Sequence, residues 1–307
     1  MRTLILNSSN IVPNTNNSTF LYQFPAGNIQ IKEGQKLALA SLQMYYSNFN
    51  ITSTYNNNTF SYTWIDGRVV KTTIPDSFLD VESLNNYIHY VMVQNGHYYL
   101  SQTGDYVYLI SMTINPNRYA VELNCFPTSA TIATTNNWTI PTGTFLSPAW
   151  VNPTNIIVPI FTVPPTDFGL LIGFNAGNYP NAVIAGVPPA QTETPSYTGT
   201  QIFLSSFTPQ ITPLSSFVLT CSLINNNYAV PNNLIYSFSP VGKFGEQFNI
   251  APYQYAFIDC QAGQYANFRV QFLDQSLRPV ALQDNNITIL LVILEANETI
   301  SGLMSQK

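Results

Sequence analysis

Residues 287–294 read Ile-Thr-Ile-Leu-Leu-Val-Ile-Leu, with Thr288 the only polar side chain among them. Five of these eight side chains are β-branched, which favours an extended backbone. A strand that is apolar at successive positions buries both of its faces, as strands do in the interior of a sheet. Ile287–Leu294 is therefore predicted to be a central strand with a neighbour on each side.

The rest of the chain supplies shorter strands for such a sheet. Apolar and polar residues alternate in these segments with a period of two, which is the pattern of a half-buried strand. Turn-rich loops separate the segments, and no repeat of 20–50 residues is present, which excludes solenoids and propellers. The fold class is therefore all-β dominated, a β-sandwich or jelly roll. The predicted strands are Thr3–Asn7, Thr19–Phe24, Lys36–Tyr45, Phe60–Trp64, Val69–Ile74, Phe217–Ile224, Leu234–Phe238, Tyr255–Ile258 and Phe268–Phe272.

Two hairpins are predicted in the first half of the chain. Asp66-Gly67 lies between β-prone runs, and this dipeptide is typical of a type I′ turn, in which both central residues have positive φ. Tyr106–Ile114 and Tyr119–Asn124 flank Asn115-Pro116-Asn117 and form the second pair.

The sequence predicts one clear helix, Val81–Asn95. Asp80 is placed to cap its N-terminus, and Asn95-Gly96 can end it in a left-handed conformation. Residues 167–174 are compatible with either a single helical turn or a strand. The apolar stripe of the helix is Val81, Leu84, Ile88, Val91 and Met92.

Composition excludes several function classes. The 307 residues carry 10 Lys+Arg and 15 Asp+Glu, a net charge of −5, and charged residues make up 8% of the chain, against about 25% in an ordinary soluble domain. The chain has 34 Asn, so neutral polar side chains must cover its surface. This profile argues against coiled coils, helical bundles and direct nucleic-acid binding. No run approaches the ~18 apolar residues of a membrane span, and the N-terminus lacks a secretory h-region, so synthesis in the cytosol is expected.

Histidine and cysteine are too scattered to indicate a catalytic or metal site. His89 and His97, the only imidazoles, are eight residues apart and do not have metal-ligand spacing. Cys125, Cys221 and Cys260 are odd in number and widely spaced, so we expect small buried thiols without a metal or a disulfide framework.

Carboxylates leave one enzymatic alternative, because a glycosidase needs only two acids. Asp259, Asp274, Asp284 and Glu295 lie on or beside the C-terminal strands, although Asp274 and Asp284 also suit turns in which carboxylates bond local amides. Residues 169–173, Gly-Leu-Leu-Ile-Gly, lack the Lys of a phosphate loop. We therefore predict no catalytic, cofactor-binding or metal-ligating residue, no cofactor, and no enzyme activity.

The order of residues resembles the penton (minor capsid, vertex) proteins of mavirus-like virophages and Polinton-like viruses. The resemblance is carried by residues 3–8, 18–25 and 35–42 at the start, and by 268–274 and 286–294 at the end; residues 76–96 and 171–174 share it. The resemblance implies a single jelly roll, of which five copies close each icosahedral vertex, with an insertion domain.

From this resemblance we expect residues 1–52 and 213–307 to form a discontinuous jelly-roll domain and residues 53–212 an insertion domain of mixed α/β structure. Two consecutive sandwiches are the alternative arrangement. The expected function is a structural minor capsid protein of the virion, assembled in the host cytoplasm, whose partners are its own copies in a homopentamer and the viral major capsid protein. A different class also fits a Tyr-, Asn- and Thr-rich β-sandwich, namely a glycan-binding lectin or viral fibre head.

Overall fold

The computed structural model describes residues 1–142, 149–181 and 199–296. Strands dominate these residues, which confirms the predicted β-dominated fold class. No helix within them is both long and apolar enough to cross a membrane. The strands are β1 Arg2–Leu6, β2 Thr19–Gln23, β3 Ile29–Ile31, β4 Lys36–Tyr45, β5 Thr59–Thr63, β6 Val69–Thr73, β7 Tyr99–Leu100, β8 Tyr106–Val107, β9 Ile110–Asn115, β10 Ala120–Cys125, β11 Ile160–Val163, β12 Gly177–Tyr179, β13 Gln201–Leu204, β14 Phe217–Cys221, β15 Leu234–Phe238, β16 Gln247–Ile250, β17 Ile258–Asp259, β18 Gly263–Tyr265, β19 Asn267–Leu273 and β20 Thr288–Leu294. The helices are α1 Val81–Gln94, α2 Ala130–Thr135 and α3 Phe168–Ile172, with a 3-10 turn at Ser8–Asn10.

The chain divides into two compact units. The first unit is Met1–Phe49 together with Leu214–Lys307, and the second unit is Asn50–Pro213. Each unit has its own buried hydrophobic core.

Eight strands of the first unit form the two sheets of a jelly roll. One sheet has the order β1-β20-β4-β16, with β17 also paired to β4, and the other has the order β15-β14-β19-β2. All of these neighbours are antiparallel. The chain changes sheet at every connection between these eight strands except that from β14 to β15. This double-sheet arrangement is the one that jelly rolls share.

β20 lies in the middle of its sheet, as its apolar sequence predicts. It pairs with β1 on one side and with β4 on the other. Ile289, Leu291 and Ile293 point into the core between the sheets, and Val292 and Leu294 are buried as well. Both faces of the strand are therefore removed from water, which explains why polar residues are almost absent from it.

The loops of the jelly roll gather at two ends. We call one the junction end, because the chain leaves the first unit there after residue 49 and returns at residue 214; it also carries the loops 7–18, 239–246 and 274–287. We call the other the opposite end. It carries the loops 24–35, 222–233 and 251–266.

The second unit packs the long helix α1 on short antiparallel sheets. Its sheets have the orders β12-β11-β5-β6 and β13-β10-β9, with β7 paired to β8. The Oδ1 atom of Asp80 accepts a hydrogen bond from the amide of Ser83 at 2.7 Å, which caps the helix as predicted. The predicted stripe is buried, and Asn85 Oδ1 accepts from the amide of Met112 at 2.7 Å, which fixes α1 against β9. The helix ends at Gln94, with Asn95 as its C-cap and Gly96 at φ 67°.

Two local predictions were wrong. The Asp66-Gly67 hairpin forms between β5 and β6, but only Gly67 has positive φ and its amide donates to the carbonyl of Trp64 at 2.9 Å. This is a three-residue loop with a left-handed glycine and not a type I′ turn. Tyr255–Ile258 is mostly loop, since β17 begins only at Ile258.

Two shorter helices accompany α1 among the described residues. Helix α2 was missed, since Ala130–Thr135 is short and rich in threonine, and its start depends on a hydrogen bond from the amide of Ile132 to Ser129 Oγ at 3.2 Å. Helix α3, left open between helix and strand, is a five-residue helix that ends at Gly173.

Candidate functional site

His97 lies in a buried aromatic cluster of the second unit. Its ring stacks on Trp64 with centroids 4.8 Å apart and planes 8° apart, and its Nδ1 atom lies 2.9 Å from the Tyr62 hydroxyl. The residue is 1% exposed. Burial lowers the pKa of His97 to about 4, and the Arg68 guanidinium acts in the same direction. The imidazole is therefore neutral at neutral pH, and dissolved substrates do not reach it.

His89 is also engaged within the fold. Its ring stacks on Tyr108 with centroids 3.7 Å apart, and its Nε2 atom lies 3.0 Å from the Ile110 carbonyl oxygen. Burial lowers the pKa of His89 below its usual value. The two histidines thus have separate partners, and within the described residues neither ring is hydrogen-bonded to a carboxylate, a serine or a cysteine.

The three cysteines are free, buried thiols. Burial raises the pKa of each to about 12. Because the thiolate is the nucleophile and the metal ligand, these protonated groups are unsuited to either role. Among the described residues no group of three or more His, Cys, Asp or Glu could hold a metal ion.

The four candidate acids lie at the two ends of the jelly roll. Asp259 pairs with Lys36 at 3.5 Å, while Asp284 Oδ2 accepts from the amide of Tyr45 at 2.7 Å. Lys36 and Tyr45 are the two ends of β4, so about 30 Å of strand separates these carboxylates. That distance is far too long for a glycosidase pair.

The remaining two acids each have structural partners. Asp274 Oδ1 accepts from the amides of Ser276 and Arg278, and its Oδ2 pairs with Arg278 Nε at 2.9 Å. Glu295 pairs with Arg2 Nε at 2.8 Å. Asp274 thus occupies a turn, as one of the two sequence interpretations proposed.

Exposed apolar side chains mark the opposite end of the jelly roll. Tyr228 is fully exposed, Tyr253 is 94% exposed and Val230 is 89% exposed, which makes them the three most exposed large apolar residues of the described chain. They lie on loops 222–233 and 251–266, and residues 222–233 contain no charged side chain. Sequence patterns did not single out these positions, because exposure at a loop tip leaves no periodic signal.

A row of tyrosines lies on the second unit. Tyr98 and Tyr106 meet edge-to-face with ring centroids 4.9 Å apart, and Tyr106 lies 6.2 Å from Tyr108, which in turn stacks on His89. Tyr106 is exposed and the others are half-buried. Rings arranged in this way can stack on a partner or a sugar.

The described residues thus define a β-dominated protein with a jelly-roll unit, one end of which exposes Tyr228, Val230 and Tyr253. No family model matches the chain, and no curated protein matches it. Among solved structures, the chain is similar to the mavirus penton protein in its crystal structure, over 96% of this chain and 97% of that chain, with 9% identity and a TM-score of 0.40. It is also similar to a chain in the cryo-EM structure of the Sputnik virophage, over 100% of both chains, with 10% identity and a TM-score of 0.34. The solved structures thus include a penton protein, the class that the sequence resembles.

Proposed function

We propose that the protein is a structural minor capsid (penton) protein of a virion. In this proposal five copies form a ring that closes a fivefold vertex of an icosahedral shell. The ring contacts the viral major capsid protein. The chain has a structural role and no catalytic one. The proposal includes the division into a jelly-roll domain, residues 1–52 and 213–307, and an insertion domain, residues 53–212.

The observation that carries the proposal is the jelly-roll topology, with a second unit inserted between its third and fourth strands, β4 and β14. Jelly rolls build viral capsids and also lectins. The residue order at both ends of the chain, which resembles penton proteins, favours the capsid role.

Charge distribution supports close packing of several copies. Residues 1–49 and 214–307 contain seven Lys+Arg and seven Asp+Glu, so this part of the chain is neutral. Neutral surfaces pack side by side without the mutual repulsion that a net charge produces. Amide and hydroxyl side chains can also hydrogen-bond across an interface at a lower desolvation cost than ions.

The opposite end of the jelly roll offers a contact surface for the shell. Aromatic side chains contribute strongly at interfaces. Tyr228, Val230 and Tyr253 are the three most exposed large apolar side chains of the described residues. We assign these three side chains to the contact with the major capsid protein.

Co-expression with a candidate major capsid protein tests the function. We expect shells that contain this chain, and a Tyr228→Ser, Val230→Ser, Tyr253→Ser variant that folds normally but enters shells poorly. The matched control is Val241→Ser, an exposed apolar residue at the junction end. A chain that never enters shells would contradict the function; a triple variant that enters them as well as Val241→Ser would contradict only the assigned surface.

The tyrosine row keeps glycan binding as a second candidate. Tyr98, Tyr106 and Tyr108 could stack on sugar rings, as aromatic platforms do. Retention on a glycan array that is lost in Tyr106→Ala would support this function. If the protein is retained on no glycan, the second candidate is wrong.

A further inference from the structure

The three-stranded sheet β13-β10-β9 of the second unit has two edges, and described residues cover only one of them. At the edge formed by β9, Asn85 Oδ1 on helix α1 accepts from the amide of Met112 at 2.7 Å. On the same helix, His89 Nε2 lies 3.0 Å from the Ile110 carbonyl oxygen. The other edge is β13, Gln201–Leu204, which pairs with β10 alone among the described strands.

The outer edge of β13 presents the backbone groups of two residues. The amide of Ser205 donates to the carbonyl of Val121 at 2.8 Å, so in this register the amide and carbonyl of Phe203 also point toward β10. Because these groups alternate in direction along an antiparallel strand, those of Ile202 and Leu204 point away from β10. No described residue forms a hydrogen bond with them. The edge therefore has donors and acceptors for one more strand.

The side chains of the same two residues make this edge apolar. Ile202 is 61% exposed and Leu204 is 38% exposed, and β13 contains neither a charged residue nor a proline. Proteins usually protect an edge strand with lysine, proline or a covering element, since an unprotected edge pairs with other chains. The edge strand β6 has such a lysine, Lys71, at its centre. β13 is therefore suited to receive an extended segment as an added strand.

Charge indicates the kind of segment. Residues 50–213 contain eight Asp+Glu and three Lys+Arg, so this unit carries the entire net charge of −5. A second copy of the unit would bring a like charge, whereas a basic segment is attracted.

One carboxylate lies on the face where the added strand would place its side chains. Glu122 on β10 is directly opposite Leu204, so the two side chains share a face of the sheet. Its Oε1 atom accepts from Asn115 Nδ2 at 2.7 Å, and it forms no ion pair within the described residues. An added strand would lie about 10 Å from β10, which is two strand spacings. A lysine or arginine opposite Leu204 could extend over it to the Glu122 carboxylate.

We propose that the outer edge of β13 binds an extended basic segment of another protein by strand addition. The segment pairs antiparallel with Ile202 and Leu204, as the other strands of this sheet pair with one another, and places a lysine or arginine opposite Leu204. This interaction goes beyond the proposed vertex role and does not depend on it.

The test measures binding of a dye-labelled peptide, acetyl-Thr-Lys-Thr-Val-Thr-Lys-Thr-amide, to the full-length protein by fluorescence anisotropy. We expect saturable binding that weakens about tenfold or more in Ile202→Lys, because a lysine on the edge strand repels a basic segment. The matched control is Val69→Lys, which makes the same charge change at a side chain of similar exposure, 58%, on the edge strand β6. Val69→Lys should bind like the wild type, and both variants should unfold at the wild-type midpoint.

Two further measurements separate strand addition from attraction between charges alone. A peptide with N-methyl groups on its lysine and valine amides keeps every charge but cannot donate to β13, so it should bind about tenfold more weakly or worse. Glu122→Gln should weaken binding of the lysine peptide, but not of a peptide that has threonine in place of both lysines.

Equal binding by Ile202→Lys and Val69→Lys would overturn the proposal, as would equal binding of the methylated peptide or a wild type that does not bind the peptide. A wild type that dimerises in sedimentation velocity, with the dimer lost in Ile202→Lys, would make a second copy the occupant of this edge and would also overturn it. Shell formation, which tests the proposed function, is a separate readout.

Discussion

Acid should destabilise the second unit through His97. The pKa of a free histidine is 6.5, and burial lowers that of His97 to about 4. Between these values the unfolded chain binds a proton that the folded chain does not, so the free energy of unfolding falls as the pH falls. Each pKa unit corresponds to 1.36 kcal/mol, so the wild type should lose about 3 kcal/mol from this residue between pH 7 and pH 4.

Tryptophan emission reports this loss selectively. The three tryptophans of the chain, at positions 64, 138 and 150, all lie in the second unit. Urea unfolding followed by their emission at pH 7, 6, 5 and 4 gives the free energy at each pH. The matched variant is His97→Phe, which keeps a flat ring over Trp64 but cannot titrate.

The difference between the two proteins isolates His97. Two other groups also have shifted pKa values in the folded chain. Burial lowers the pKa of His89, whereas burial alone would raise the pKa of Asp66 and the hydrogen bonds and charge of Arg68 lower it overall. Both groups are present in both proteins. The Asp66 contribution is lost only as the pH falls below about 3.8, the usual pKa of its carboxyl group, so it lies beneath the His97 window. We expect His97→Phe to lose about 3 kcal/mol less than the wild type. Equal losses in the two proteins would show that the imidazole is not held neutral by burial.

Three further predictions concern stability and reactivity. Ile88→Asp should cost more than about 3 kcal/mol in unfolding free energy, because it buries an unpaired charge, whereas Asn86→Asp on the exposed side of the same helix should cost little; equal midpoints in thermal melts would contradict this. Gly173→Ala should cost about 3 kcal/mol or more by urea unfolding, because a Cβ atom there would lie 2.3 Å from the Phe207 carbonyl oxygen, while Gly104→Ala, with similar φ and open space, should cost only about 1–2 kcal/mol. The three thiols should react with Ellman's reagent only after unfolding, and rapid labelling of the native protein would refute their burial.

Much of the fold could be predicted because burial leaves a periodic trace in the sequence. β20 is apolar at nearly every position and lies between two strands, and the stripe of α1 recurs at helical spacing and is buried. Both hairpins of the second unit also formed where turn residues separate β-prone runs.

Other features depend on contacts that sequence patterns do not encode. The turn at Asp66 departs from the type I′ geometry. The carboxylate of Asp66 accepts hydrogen bonds from the backbone amide and the guanidinium of Arg68, two residues further on. Helix α2 depends on one capping hydroxyl and on packing, not on helix propensity. The burial of His97 is set by tertiary structure, so it could not be read from spacing.

The central claim, that this chain closes capsid vertices, is tested most directly by icosahedral reconstruction of shells made with and without it. With the chain present, we predict density at each fivefold vertex for five copies of the 34.2 kDa protein. Without it, the vertices should be open or the shells absent. Complete vertices in shells that lack the chain would contradict the account.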